Sequence, residues 1–126
     1  ALLSLERVGL QDLSALSSLV QLEDLYLSFN EIEEISTIRG LQRLRTLSLN
    51  GNRVADISPL STLTELMELW LQDNRISDIS VLLDLEKLRE LRLEENEIDL
   101  SPDGRAREVL DLLQQRGVNV TFEPQR

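Results

Sequence analysis

The sequence predicts an α/β solenoid: a parallel β-sheet on a concave side, short helical turns on the convex side, and a C-terminal helix and strand closing the stack. Three observations predict it. Asn30, Asn52, Asn74 and Asn96 recur every 22 residues and close the phrases LEDLYLSFN, LRTLSLNGN, LMELWLQDN and LRELRLEEN. Apolar residues keep fixed offsets behind them: Ile32, Val54, Ile76 and Ile98, then Ile35, Ile57 and Ile79, then Leu16, Ile38, Leu60 and Leu82. Aromatics are only 3% of a chain that is 41% hydrophobic, so leucine does the apolar work. Strict internal periodicity of this length is the mark of a stacked array.

The strand comes first in each unit. Leu25 and Leu27 are two apart, so an extended backbone puts both on one face with Tyr26 on the other. One coil cannot bury its own apolar side, and stacking on the next coil completes the core. The asparagine follows at the turn, where inward backbone groups need partners. A carboxamide offers two donors and an acceptor, enough to serve its own coil and a neighbour, so Asn30, Asn52, Asn74 and Asn96 read as a structural ladder. Ser14, Ser36, Ser58 and Ser80 recur at the same interval, each two residues after an acid. A serine there reads as an N-cap and the acid as a complement to the helix dipole, with Pro59 at the first helical position. The convex side is therefore expected to hold short 3-10 or helical turns.

The unit LxxLxLxxNx(I/V)xxIxxLxxLxx resembles the leucine-rich-repeat family in its 22-residue class, and so implies a leucine-rich-repeat horseshoe. The phrases RISDIS and ADISPLSTLTEL are similar to bacterial internalin-type repeats. The same unit also resembles the repeat-built regulatory subunit of protein phosphatase 1. The likeness implies a non-catalytic protein-binding mode through the concave face. It leaves the compartment open between the cytoplasm and a bacterial cell surface.

Residues 1–100 read as five coils, the first partial, because Val8 stands where an asparagine is expected. That opening reads as the cut edge of a longer array or as the ladder's end. After Ile98 the pattern changes. Ser101 and Pro102 suit a helix start, Ala106, Val109, Leu110 and Leu113 share one apolar face, and Gly117 suits a stop. Val118, Val120 and Phe122 alternate as a strand. Residues 101–122 are thus a capping helix and strand, and 123–126 a tail. A cap rather than a functional helix is the expectation.

Composition narrows the function. With no cysteine and no histidine, disulfide frameworks, thiolate chemistry, Ser-His triads and histidine zinc sites are out. A net charge of -10 disfavours nucleic acid and anionic membrane. No apolar run approaches the ~20 residues of a membrane span, and the opening residues do not read as a signal peptide. No metal, cofactor, phosphate loop or GxSxG elbow is indicated. Acid pairs such as Asp73 with Glu90, Glu94 and Glu95 sit on an open surface with no burial to separate their pKa values, so catalysis is not expected.

In-register stacking puts Ser4, Tyr26, Ser48, Trp70 and Arg92 in one outward row. Leu2, Asp24, Thr46, Glu68 and Glu90 precede it; Glu6, Ser28, Asn50, Gln72 and Glu94 follow; Arg7, Phe29, Gly51, Asp73 and Glu95 form the edge. Three of the four aromatics, Tyr26, Phe29 and Trp70, lie here. Strands spaced about 4.8 Å apart set Tyr26 and Trp70 ~10 Å apart across Ser48, a trough with a polar floor. Arg92 is placed to stack on Trp70. Exposed aromatics among polar rows are what hot spots look like, although aromatics also favour strands for packing alone. The expected partner-binding residues are Tyr26, Phe29, Ser48, Asn50, Glu68, Trp70, Gln72, Asp73, Glu90, Arg92 and Glu94. The partner is a protein carrying a basic patch beside an apolar knob, met by a monomer. The other reading makes the chain a scaffold or targeting module within a larger enzymatic or surface-adhesion protein.

Overall fold

A computed structural model describes residues 1–126. Six three-residue strands form one parallel sheet in chain order: β1 (Leu2–Ser4), β2 (Asp24–Tyr26), β3 (Thr46–Ser48), β4 (Glu68–Trp70), β5 (Glu90–Arg92) and β6 (Asn119–Thr121). Each pairs with the next in the expected register, so that Leu3, Leu25, Leu47, Leu69, Leu91 and Val120 align. The convex side carries 3-10 turns at Ser14–Leu16, Ser36–Gly40, Ser58–Thr62 and Ser80–Asp84. Between sheet and turns runs a single core of 31 buried side chains, nearly all leucine and isoleucine. It continues into the helix α1 (Arg105–Gln115) through Val109, Leu110 and Leu113.

The turns are capped differently from the expectation. The serines begin the turns without making a side-chain cap. The acid two residues earlier accepts the serine N–H instead, at 2.8 Å for Asp12, 2.7 Å for Glu34, 2.9 Å for Asp56 and 3.0 Å for Asp78. A carboxylate is the stronger acceptor, so it takes the orphan donor at the turn's N-terminus. Asp99 repeats the motif with Ser101 at 3.0 Å. That contact occupies the serine expected to start the helix, and α1 begins later, after Gly104.

Residues 123–126 do not behave as a free tail. Gln125 performs the job of a ladder asparagine: its Nε2 donates to the carbonyls of Leu93 at 2.8 Å and Phe122 at 2.6 Å. Its Oε1 accepts the N–H groups of Asn96 at 3.2 Å and Ile98 at 3.1 Å. No helix is long and apolar enough to cross a membrane.

Candidate functional site: the outward face of the sheet

The ladder fixes the edge from which this face is built. Asn74 donates through Nδ2 to the carbonyls of Leu49 at 2.9 Å, one coil back, and of Leu71 at 3.1 Å in its own coil. Its Oδ1 accepts the Val54 N–H at 2.9 Å. Asn52 and Asn96 repeat these bonds. Asn30 repeats them on the first coil, where it accepts the N–H groups of Val8 and Leu10. The strands are thereby stacked without slip, and the outward rows line up as predicted.

In the central row, register pairing puts Ser48 between Tyr26 and Trp70. Both aromatics are half-buried, and Ser48 is only 5% exposed. All three residues of β3 are buried, including outward-facing Thr46 and Ser48, unlike any other strand. Ser48 therefore forms the floor between the two rings. Its hydroxyl lies 2.6 Å from that of Ser28, and both hydroxyls donate to Asn50 Oδ1, at 2.5 Å from Ser48 and 2.7 Å from Ser28. This network ties the floor to the next row.

Arg92 does not stack on Trp70. Its guanidinium pairs with Glu94 at 3.0 Å, a residue two along on the same face of the strand. A charge-assisted bond at this range wins over a ring face one strand away. The rings that do carry guanidinium groups are Phe29, with Arg7 4.3 Å from its centroid, and Phe122, with Arg107 at 5.4 Å. Gln72 and Glu94, neighbours in the row after the centre, each keep one oxygen (Oε1) shielded from solvent with no donor.

The edge row has a backbone signature. Arg7, Phe29, Gly51, Asp73 and Glu95 all take left-handed conformations, with φ of 56°, 57°, 73°, 59° and 58°. Only Gly51 adopts this without steric cost. Phe29 leans across it: a Cβ on Gly51 would lie 2.5 Å from Phe29 Cδ1. The ring is thus seated on a glycine yet stays 43% exposed. Further along, Arg126 donates to Asp73 Oδ1 and, at 3.2 Å, to the Asn74 carbonyl, and its Nε stands 4.0 Å from Glu95. Asp73, a predicted partner-binding acid, is therefore already held by a cation of the same chain, as Glu94 is by Arg92.

Glu68 stands half-buried beside Thr46, and Glu90 at the same level of β5 is exposed. Asn119 of β6 donates to Glu90 at 3.0 Å, which extends the face onto the cap. Sequence reasoning missed Asn119, Gln125 and Arg126 as parts of this surface. Gln125 falls 29 residues after Asn96, so the 22-residue period gives no signal for it.

Comparison with known proteins agrees with this geometry. The family description "Leucine rich repeat" matches residues 2–54, and "Leucine Rich repeats (2 copies)" matches residues 42–82. A crystal structure of internalin C2 from Listeria monocytogenes is 36% identical, with a TM-score of 0.79, covering 94% of this chain and 50% of its own. A second internalin of that organism is 29% identical with a TM-score of 0.62, covering 89% of this chain and 37% of its own. A leucine-rich-repeat protein of Leptospira interrogans is 25% identical with a TM-score of 0.79, covering 95% of this chain and 30% of its own. The chain thus spans about half the length of the first and less of the others. No curated protein matches the sequence significantly.

Proposed function

We propose, from the premise that the chain is a leucine-rich-repeat protein whose repeats resemble those of internalins, that it is a non-catalytic module binding a protein through the concave sheet. The observation that carries this reading is the pair of half-buried rings, Tyr26 and Trp70, set on either side of a buried serine in an otherwise polar row. Rings on a rigid sheet lose little entropy on contact, which is why such residues dominate binding energy. Gln72, Glu68, Glu90 and Glu94 border them. Six strands spanning ~24 Å and outward positions running ~20 Å give about 500 Å². That is below the ~800 Å² per partner of a standard interface, so the contact extends over the edge at Phe29 or binds modestly. The acids stand on an open sheet rather than in a water-excluding pocket, which favours binding over catalysis.

The test compares proteins captured by the intact chain and by Trp70→Ala. A partner that uses this face disappears from the Trp70→Ala catch while the variant keeps its thermal midpoint. An identical catch from both overturns the reading.

A further inference from the structure

We propose that Asn50–Gly51 is a site of spontaneous isoaspartate formation, activated by the hydroxyls of Ser28 and Ser48. It is a covalent ageing switch in the middle of the outward face, and it stands whether or not that face binds a partner. In this reaction the backbone nitrogen of the residue after an asparagine attacks the side-chain carbonyl carbon. A side chain on the attacking residue obstructs the approach, and glycine has none. Asn50 is the one asparagine here that precedes glycine; Asn30, Asn52, Asn74, Asn96 and Asn119 precede glutamate, arginine or valine.

The environment of the carbonyl makes this more than a dipeptide rule. Asn50 Oδ1 receives two hydroxyls, at 2.5 Å and 2.7 Å, which are themselves 2.6 Å apart. Two hydroxyl hydrogens serve three close contacts, so each is free to turn where charge develops. Both serines are 5% exposed, and they act as preorganised donors shielded from water. The amide nitrogen that must leave, Nδ2, is neither held by the protein nor sealed from solvent. The ladder asparagines differ on this count, because their Nδ2 atoms donate to two or three carbonyls each.

The step balances without a co-reactant other than water. Gly51 N forms a bond to Asn50 Cγ, and the electron pair of the carbonyl moves to Oδ1, where the serine hydroxyls hold it. The pair returns, the Cγ–Nδ2 bond breaks, and Nδ2 leaves as ammonia carrying the proton from Gly51 N. Water then opens the cyclic imide at either carbonyl, giving aspartate or isoaspartate. Nothing is oxidised or reduced. The brake is equally specific: the Gly51 N–H donates to the Gln72 carbonyl at 3.0 Å, and attack waits for that bond to open. The product adds a carboxylate beside Trp70's row, and in the isoaspartate form lengthens the backbone by one methylene immediately before the Asn52 rung.

The experiment ages the full chain at physiological temperature and mildly alkaline pH, with the peptide TLSLNGNR (residues 46–53) as the unfolded reference. Tryptic mapping with fragmentation that distinguishes isoaspartate follows the product at position 50. Conversion at Asn50 and not Asn52 is expected. It slows about tenfold in Ser28→Ala/Ser48→Ala, and Ser28→Thr, which keeps a hydroxyl, holds the wild-type rate. A double-serine variant that has unfolded is recognised by its lost thermal transition, and the decision then rests on Ser28→Ala against Ser28→Thr. If the folded chain stays unconverted while the peptide reacts, or if removing the hydroxyls leaves the rate unchanged, the proposal is wrong. The readout needs no partner, so it fails or succeeds independently of the binding reading.

Discussion

Asn74 shows what one side chain does in this molecule. It is fully buried, and its carboxamide satisfies a donor and two carbonyls that no water reaches. Replacing it with alanine leaves those three groups unpaired, at about 1 kcal/mol or more each. Asn74→Ala is therefore expected to cost about 3 kcal/mol in chemical denaturation. Asn30→Ala should cost less, since Asn30 borders the first coil and keeps some solvent contact. Equal losses at the two positions would argue against burial as the cause. At this scale the sequence was legible wherever an interval repeats: the ladder, the inward leucines and the placement of Tyr26 and Trp70. The partner of Arg92 was not legible, because a long exposed side chain chooses among neighbours by fractions of a kcal/mol. Sequence spacing places it on a face without saying which neighbour it takes.

The turns are the elements whose chemistry differs most from the first expectation, and they titrate. Asp56 sits below the ordinary carboxylate value, chiefly because it accepts the Ser58 N–H. Asp78 and Asp99 are lowered chiefly by the Ser80 and Ser101 hydroxyls, then by the N–H groups of those residues. A lowered folded value means that the unfolded chain takes up protons first as pH falls. The stabilisation is complete above the ordinary value of 3.8 and is lost as pH drops through the lower folded values. Thermal midpoints should accordingly fall below about pH 4, and an Asp56→Asn/Asp78→Asn/Asp99→Asn variant should show a shallower fall. An unchanged acid limb in that variant would locate the loss elsewhere. The cap is the second element with its own prediction. Gln125→Ala removes the acceptor for the Asn96 and Ile98 N–H groups. Faster amide exchange is expected at those two positions, with β2 and β3 unaffected, because solenoid coils communicate mainly with their neighbours. The left-handed edge row was hidden from sequence reasoning for a related reason: the turn imposes φ > 0 on arginine, phenylalanine, aspartate and glutamate alike, and only Gly51 advertises it.

For the whole molecule, charge is the property that reaches furthest. The chain carries -10, and the outward face holds Glu68, Glu90 and Glu94 within the aromatic row's surroundings. A basic partner is steered by such a field before any contact forms. Glu68→Gln/Glu90→Gln should lower the association rate and flatten its dependence on salt, leaving dissociation nearly unchanged. A drop confined to dissociation would mean that the acids act by contact instead. The overall architecture was legible from the period because stacking is local and every coil repeats the same instructions. The capping helix and strand were legible too, but the closing contacts were not, because Gln125 and Arg126 come from outside the period.

That mismatch in spacing bears on how such a molecule changes length. Every interior rung bonds its own coil and the one before it, and Gln125 does the same with Phe122 and with Leu93, Asn96 and Ile98 of the preceding coil, from a position outside the period. A 22-residue segment duplicated within the array would meet the same rung on both sides, and the terminal glutamine would seal the longer stack as it seals this one. Coil number is thus separable from closure: mutation can lengthen the molecule and widen its face in whole units without redesigning the end.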